Sequence, residues 1–265
     1  MMNTTKQRIE EIRDNGFSLD LGDMITQSFE NFQKIALHAG LGLLLLSIIL
    51  VVLVMGSIGA SFGFENFAEQ MTDFQVTDIS SVYIIIYFLG ITILTSLINP
   101  FVAGIFRLAN QADNGEKTDF SMIFHYYKSK YLKDLIFASF LITSFNFMVS
   151  FLFETFGLDF VGTIISYFVQ LLTILFIPLI IFGNLNATEA IKGSFIVVQK
   201  QFWIILLLMV LAGVGAMVGL IAICIGMFFT LPFVYSMQYV IYKNSIGNVT
   251  LQDELDEIGQ SYDEY

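Results

Sequence analysis

The run "IALHAGLGLLLLSIILVVLVMGSIGA", from Ile35 to Ala60, contains no Asp, Glu, Lys or Arg. A helix that crosses the hydrocarbon core of a bilayer needs roughly 20 such residues, whereas a buried helix of a soluble protein has about 10 to 14. No face of the run is polar enough to be turned toward water. The run therefore predicts a membrane-spanning helix.

Four further blocks have the same character. They are Tyr83–Phe106, Leu135–Phe153, Val161–Phe182 and Phe202–Tyr242. The last block is long enough for two spans joined by a tight turn near Cys224 to Gly226. Of the 265 residues, 56% are hydrophobic and only 13% are charged, against about 25% charged in a soluble domain. We predict an all-α fold, a polytopic membrane bundle of six transmembrane helices.

Charge is distributed unevenly between the connections. All twelve basic residues fall in alternate ones: Lys6, Arg8, Arg13, Lys34, Arg107, Lys117, Lys128, Lys130, Lys133, Lys192, Lys200 and Lys243. The other connections carry only acids: Glu65, Glu69, Asp73, Asp78, Glu154 and Asp159. Because basic loops stay on the cytoplasmic side, we expect a bacterial inner-membrane protein with both termini in the cytoplasm. The expected division is a cytoplasmic segment 1–34, a transmembrane domain 35–243 and an acidic tail 244–265.

Two stretches that precede spans repeat each other. "DLGDMITQSFENFQKIA" begins at Asp20 and "NATEAIKGSFIVVQKQFW" begins at Asn186. Asp20 and Asn186 are suited to cap a helix, with an acid three residues later. The apolar residues recur at offsets that fall on one helical face. They are Ile25, Phe29, Phe32 and Ala36 in the first copy, and Ile191, Phe195, Val198 and Phe202 in the second. Each copy predicts a capped amphipathic helix that lies along the inner membrane surface and feeds directly into a span.

A threefold repeat of helix pairs is possible. A weaker third copy of the amphipathic stretch begins at Thr118 as cap, with Ser121 three residues later. The chain's prolines, Pro100, Pro178 and Pro232, all fall in even-numbered spans, where each could kink its helix and free a carbonyl. Asn99 precedes Pro100, which makes this pair the best candidate for a polar site.

Other polar residues within the spans carry no charge: Asn146, Gln170, Thr173, Thr230 and Gln238. Such groups either bond helices together or line a cavity. Lys34, Lys192 and Lys200 recur beside the apolar stripes and are candidate contacts for lipid headgroups; the alternative is that these helices only brace the bundle. Gly215 and Gly219 predict a close helix contact, either within the bundle or in a homodimer. We expect a small interfacial helix around Glu65–Phe74.

The sequence contains none of the common catalytic, metal-binding or nucleotide-binding motifs. The two histidines, His38 and His125, lie on separate segments, and Cys224 is the single cysteine. We find no nucleophile elbow, zincin motif, P-loop or Rossmann fingerprint, and no basic patch for nucleic acid. The expectation is a protein without enzymatic activity, cofactor or nucleic-acid partner. Its expected partners are membrane lipids, with another protein or a second copy of the chain as the further alternative.

The stretches "LDLGDMITQSFENFQK" and "GNLNATEAIKGSFIVVQKQFWIIL", with six spans between and around them, resemble a broad bacterial family of six-helix membrane proteins. They are similar to the membrane domain appended to some glycerophosphodiester phosphodiesterases. The resemblance implies the fold, but the soluble phosphodiesterase domain is not present in this sequence, so no activity is carried over. The sequence favours an accessory or lipid-interacting scaffold; a small permease-like transporter with a path near the prolines is the alternative, and a membrane enzyme using unrecognised residues is a third.

Overall fold

The computed structural model of the protein describes residues 4–62, 81–222 and 225–247. Several features predicted from the sequence lie in the other parts of the chain. The interfacial helix around Glu65–Phe74, the acids of the first connection, Cys224 and most of the acidic tail lie outside the described residues.

Helices make up nearly all of the described chain. The α-helices are α1 (Thr4–Asn15), α2 (Leu21–Phe62), α3 (Ser81–Asp113), α4 (Leu132–Thr155), α5 (Asp159–Leu172), α6 (Phe176–Ile181), α7 (Ala187–Lys200), α8 (Phe202–Met217), α9 (Ile225–Thr230) and α10 (Pro232–Ser245). Two 3-10 segments, Phe120–Lys128 and Val218–Ala222, complete the order.

Six segments are long and apolar enough to cross a membrane. In chain order they are Leu21–Ser57, Phe88–Asp113, Leu132–Thr155, Asp159–Ile181, Phe202–Ile221 and Ile225–Ser245, here spans one to six. The predicted all-α multi-pass bundle is therefore confirmed. Because successive spans alternate in direction, the connections that hold all twelve basic residues meet at one end of the bundle, the basic end. Glu154 and Asp159 lie at the other, acidic end.

The first amphipathic copy is the beginning of α2. The backbone N–H of Asp23 donates to Asp20 Oδ1 at 2.8 Å, which confirms the predicted cap. The helix then runs into span one without a break. At 1.5 Å per residue its 42 residues measure ~63 Å, about twice the hydrocarbon thickness. The prediction that the amphipathic helix of this copy feeds directly into its span is therefore confirmed.

The buried face of this copy is displaced by one residue from the predicted stripe. Ser28 and Asn31 are buried, whereas Phe29 is 50% exposed. Asn31 Nδ2 donates to the Ala109 carbonyl of α3 at 2.7 Å, and Ser236 Oγ of α10 donates to Asn31 Oδ1 at 3.0 Å. Small polar side chains thus bind α2 to its neighbours by hydrogen bonds, and Phe29 and Phe32 of the apolar stripe pack on Phe233 of α10.

The second copy forms α7 with the predicted cap. Asn186 Oδ1 accepts from the N–H of Glu189 at 3.0 Å, and the Glu189 carboxylate accepts from the N–H of Asn186 at 3.4 Å. Unlike the first copy, this helix ends before its span. Gln201 separates α7 from α8, and its Nε2 donates to the Phe17 carbonyl.

The third copy departs from the prediction. Asp119, not Thr118, caps it: the N–H of Ser121 donates to Asp119 Oδ1 at 2.7 Å, and this bonding lowers the pKa of Asp119. The helix that follows, Phe120–Lys128, is 3-10 rather than α. Thr118 Oγ1 lies instead 3.4 Å from His38 Nδ1. An amphipathic α-helix is therefore present in two of the three proposed repeat units.

The three prolines also differ from one another. Pro100 lies inside the continuous helix α3. Pro178 follows an interruption, because span four is not helical at 173–175, and Pro232 is the first residue of α10. Proline is accepted at the start of a helix because its missing N–H is not needed there. The predicted kink of span four is therefore a break between two helices. In span six, Leu231 keeps helical backbone angles and its N–H donates to the Met227 carbonyl at 2.9 Å, so this span continues past Pro232.

Helix α1 braces the basic end. Its residues Ile9 and Ile12 are buried, and the helix packs on α7. Lys6 Nζ donates to Glu189 Oε1 at 2.8 Å, which lowers the pKa of Glu189. Arg8 Nε donates to the Ser245 carbonyl at the end of α10 at 3.2 Å. The N-terminal helix thus connects α7 to span six.

Gly215 of α8 and Gly219 of the following 3-10 segment face span six of the same chain. A Cβ added to Gly219 would lie 2.5 Å from the Gly226 carbonyl, and one added to Gly215 would lie 2.8 Å from Phe233 Cδ1. Thr230 Oγ1 donates to the Ala216 carbonyl at 2.5 Å across the same contact. Of the two predicted uses of this motif, packing within the bundle is confirmed.

Candidate functional site

The uncharged polar side chains of the spans converge on one cleft. It has a volume of about 460 Å³ and lies between spans two, three, four and six. Its polar lining consists of hydroxyls and amides: Thr95, Asn99, Ser139, Thr143, Asn146, Gln170, Thr173, Tyr235 and Gln238. We call it the amide cleft. Every polar span residue singled out from the sequence lines it except Thr230.

Asn99 both lines a cavity and bonds two helices together, which are the two roles considered for the polar residues of the spans. It lines the amide cleft, and its Nδ2 donates to Ser139 Oγ on α4. The Ser139 hydroxyl in turn donates to the Leu135 carbonyl at 2.7 Å. Three residues before Pro100, the carbonyl of Leu97 accepts a hydrogen bond from the Tyr127 hydroxyl at 2.8 Å. Part of the bonding capacity at the Asn99–Pro100 position is thus used to hold helices together.

Asn146 is the cleft residue whose side-chain oxygen is buried and lacks a hydrogen-bond donor among the described residues. A buried acceptor without a donor costs about 1–3 kcal/mol, so a polar molecule in the cleft would be stabilised by donating to it. The sequence favoured Asn99 because of the neighbouring proline, and only the packing distinguishes Asn146.

The break in span four forms part of the cleft wall and is held from behind by α7. Ser194 Oγ accepts from the N–H of Leu175 at 3.1 Å and donates to the Leu172 carbonyl at 2.8 Å. Ser194 is completely buried. Thr173, within the break, lines the cleft. The sequence placed Ser194 in the repeat together with Ser28 but gave it no role; that recurring serine is the signal that could have identified it.

A second hollow of about 420 Å³ adjoins the amide cleft. The two share Thr143, Asn146 and Gln170. Further hydroxyls line the second hollow: Ser150, Thr163, Ser166 and Tyr167. Since these residues lie closer to the acidic ends of α4 and α5, polar surface continues from the level of Asn99 toward the acidic end.

The lining of both hollows is uncharged. Because an ion without a counter-charge is costly at membrane depth, this lining suits a neutral polar molecule. Hydroxyls and amides can both donate and accept, so they match a ligand with hydroxyl or amide groups. For metals, residues 4–62, 81–222 and 225–247 contain no group of three or more His, Cys, Asp or Glu side chains that could share an ion.

The lysines predicted to contact headgroups lie at the basic end on two different helices. Lys34 Nζ donates to the Ala112 carbonyl near the end of α3 at 3.3 Å, which gives it a bracing role. Lys192 and Lys200 are exposed on α7. Next to them, Phe195 and Trp203 are 45% and 78% exposed. Exposed aromatic rings beside lysines are typical of a membrane interface.

Comparisons of the chain with protein-family models, with curated proteins and with solved structures find no match.

Proposed function

We propose that the protein is a non-enzymatic, permease-like membrane protein that binds a small uncharged polar molecule in the amide cleft and gives it a path across the bilayer. One observation carries the proposal: uncharged amides and hydroxyls from four spans meet at a cleft whose wall includes the interrupted helix of span four. Interrupted helices border the substrate sites of many transporters. This was the alternative favoured less by the sequence, and the geometry of the cleft now supports it best.

The proposal predicts flux of a neutral probe through vesicles that contain the protein. We expect erythritol to enter proteoliposomes faster than protein-free vesicles, as followed by light scattering after mixing, while the zwitterion glycine gains little. Asn146→Leu should lower the protein-dependent erythritol rate at least tenfold. It removes the unpaired oxygen from the cleft while conserving volume, and it breaks no hydrogen bond within the described chain.

Ser47→Ala is the matched control. It also removes a polar group from a span, but Ser47 bonds only to the Leu44 carbonyl and lies away from the cleft. Its flux should equal that of the wild type. Equal erythritol rates in protein-containing and protein-free vesicles, or an unchanged rate in Asn146→Leu, would contradict the proposal.

A lipid-interacting scaffold is the second candidate. It is favoured by the exposed pair Lys192 and Lys200 beside Phe195 and Trp203 at the basic end, and it agrees with the resemblance to an appended membrane domain, which stays a prediction. A scaffold would support no flux of either probe. It would instead hold anionic lipid at these lysines, so that neutralising them reduces the lipid that purifies with the protein.

We further propose that the protein lies in the bacterial cytoplasmic membrane with its basic end inside, since basic connections are retained in the cytoplasm. In a Cys224→Ser background, Lys128→Cys and Lys192→Cys should resist a membrane-impermeant maleimide added to intact cells. Asp159→Cys should react. Labelling of Lys128→Cys or Lys192→Cys before lysis would overturn this orientation.

A further inference from the structure

A third cavity, an apolar groove, lies between spans two and three. It has a volume of about 410 Å³ and is separate from the amide cleft in its lining. Apolar side chains form most of its wall: Leu89, Ile93, Leu97, Ile136, Phe137 and Phe140. One charged residue, Lys133, also lines it. We call it the lysine groove.

Lys133 lies at the basic mouth of the groove. The helices are antiparallel, and their register is fixed by the Asn99–Ser139 hydrogen bond and by the hydroxyls of Thr95 and Thr143, which are 3.4 Å apart. In this register Lys133 is level with residue 105 of α3. The wall from Leu89 to Lys133 therefore spans sixteen residues, or ~24 Å at the helical rise.

The length of this wall indicates what kind of molecule fits the groove. One leaflet contributes about half of a hydrocarbon core that is ~30 Å thick. A wall of ~24 Å therefore reaches from headgroup level at Lys133 past the middle of the bilayer. Apart from the buried hydroxyl residues Thr92 and Ser96, the wall is apolar along its length, and it has a cation at its surface end. A long acyl chain with an anionic head matches it in both respects.

Lys133 itself is available to bind an anion. Its side chain is exposed, and no acidic group in the described part of the chain pairs with it. The neighbouring Asp134 is engaged elsewhere, because its Oδ1 accepts from the N–H of Ala187 at 3.0 Å. An unpaired lysine at the surface end of an apolar groove complements a phosphate.

We infer that the lysine groove binds one anionic phospholipid from the leaflet at the basic end. One acyl chain lies along Leu89, Ile93 and Leu97, and the phosphate lies at Lys133. This site is distinct from the surface lysines Lys34, Lys192 and Lys200 and from the amide cleft. It does not depend on whether the protein transports anything.

The test uses the full chain in detergent, titrated with phosphatidylglycerol or phosphatidylcholine and followed by native mass spectrometry. A lysine near an anionic headgroup contributes enough to change affinity about fivefold. Lys133→Gln should therefore weaken the first phosphatidylglycerol bound about fivefold. It should weaken phosphatidylcholine less, because the choline group offsets the charge of that lipid's phosphate. Ile93→Trp should weaken both lipids, because Ile93 is an exposed wall residue whose enlargement fills the groove.

Lys117→Gln is the control for charge alone. Lys117 is an exposed lysine at the same end of the bundle but outside the groove, so its phosphatidylglycerol affinity should be that of the wild type. The combined replacement of Lys34, Lys192 and Lys200 by glutamine should remove weaker, later lipid adducts and leave the first. Equal losses in Lys133→Gln and Lys117→Gln would show diffuse attraction and overturn the inference. Unchanged affinities in Ile93→Trp would also overturn it.

Discussion

Gly104→Ala is expected to destabilise the protein by about 2–4 kcal/mol, because the methyl group has no space. A Cβ at this position of α3 would lie 2.1 Å from the Ile123 carbonyl oxygen. The obstacle is backbone, so no rotation of a side chain relieves it. The 3-10 segment Phe120–Lys128 must move away from α3, which also strains the hydrogen bond from Tyr127 to the Leu97 carbonyl. Thermal unfolding in detergent, followed by circular dichroism, measures the loss.

Gly90→Ala is the matched control on the same helix. No heavy atom lies within 4 Å of a Cβ built on Gly90. Alanine is the better helix former by up to about 1 kcal/mol, so this variant should be neutral or slightly more stable. If the two alanine variants unfold at the same temperature, the close approach of the 3-10 segment to α3 is wrong.

Ser194→Ala is expected to have a comparable effect for a different reason. Its hydroxyl supplies a hydrogen bond to each side of the break in span four, at the Leu175 N–H and the Leu172 carbonyl. Removing it leaves both groups buried without partners. Each such group costs about 1–3 kcal/mol, and water is scarce at this depth. We expect a loss of roughly 2–5 kcal/mol in the same unfolding measurement.

The repeat provides the control for this experiment. Ser28 occupies the equivalent position in the first copy and is as completely buried as Ser194. Its hydroxyl donates only to Met237 Sδ, at 3.2 Å, and a thioether is a weak acceptor. Ser28→Ala should therefore cost less than about 1 kcal/mol. Equal losses in the two serine variants would mean that Ser194 does not hold the break.

Ser194→Ala also tests the link between the break and the cleft. Thr173, Ile174 and Phe176 line the amide cleft and flank the groups that Ser194 holds. If the break relaxes into a regular helix, these cleft residues rotate away. We then expect protein-dependent erythritol flux to fall in Ser194→Ala, measured below its unfolding temperature, while Ser28→Ala keeps it.

The sequence predicted the parts of the fold that depend on local chemistry. Charge-free blocks located all six spans, and cap residues located the beginnings of α2 and α7. These features are readable because the cost of a charge in hydrocarbon, or of an unpaired N–H at a helix end, depends on the residues nearby in the chain. The third cap was missed because Thr118 and Asp119 are adjacent and both are able to cap.

The sequence did not show which face of the first amphipathic copy packs against the bundle. The apolar stripe that includes Ile25 and Phe29 was expected to lie at the membrane surface, and Phe29 is half exposed, whereas Ser28 and Asn31 on the neighbouring face are buried. Lipid solvates an apolar stripe as well as a protein core does, so hydrophobicity no longer identifies the inner face. Small and polar residues do so instead, because they need close contact or hydrogen bonds.

The amino-acid sequence by itself determined that this chain crosses the bilayer six times, where the crossings lie, and which connections share an end. The tertiary structure alone decided where span four breaks, which faces pack, and that the side-chain oxygen of Asn146 has no donor among the described residues. The reason is distance along the chain. Ser194 completes a break about twenty residues earlier, and the cleft collects side chains from four helices. A pattern among neighbouring residues of the sequence does not indicate contacts between residues that are far apart in the chain.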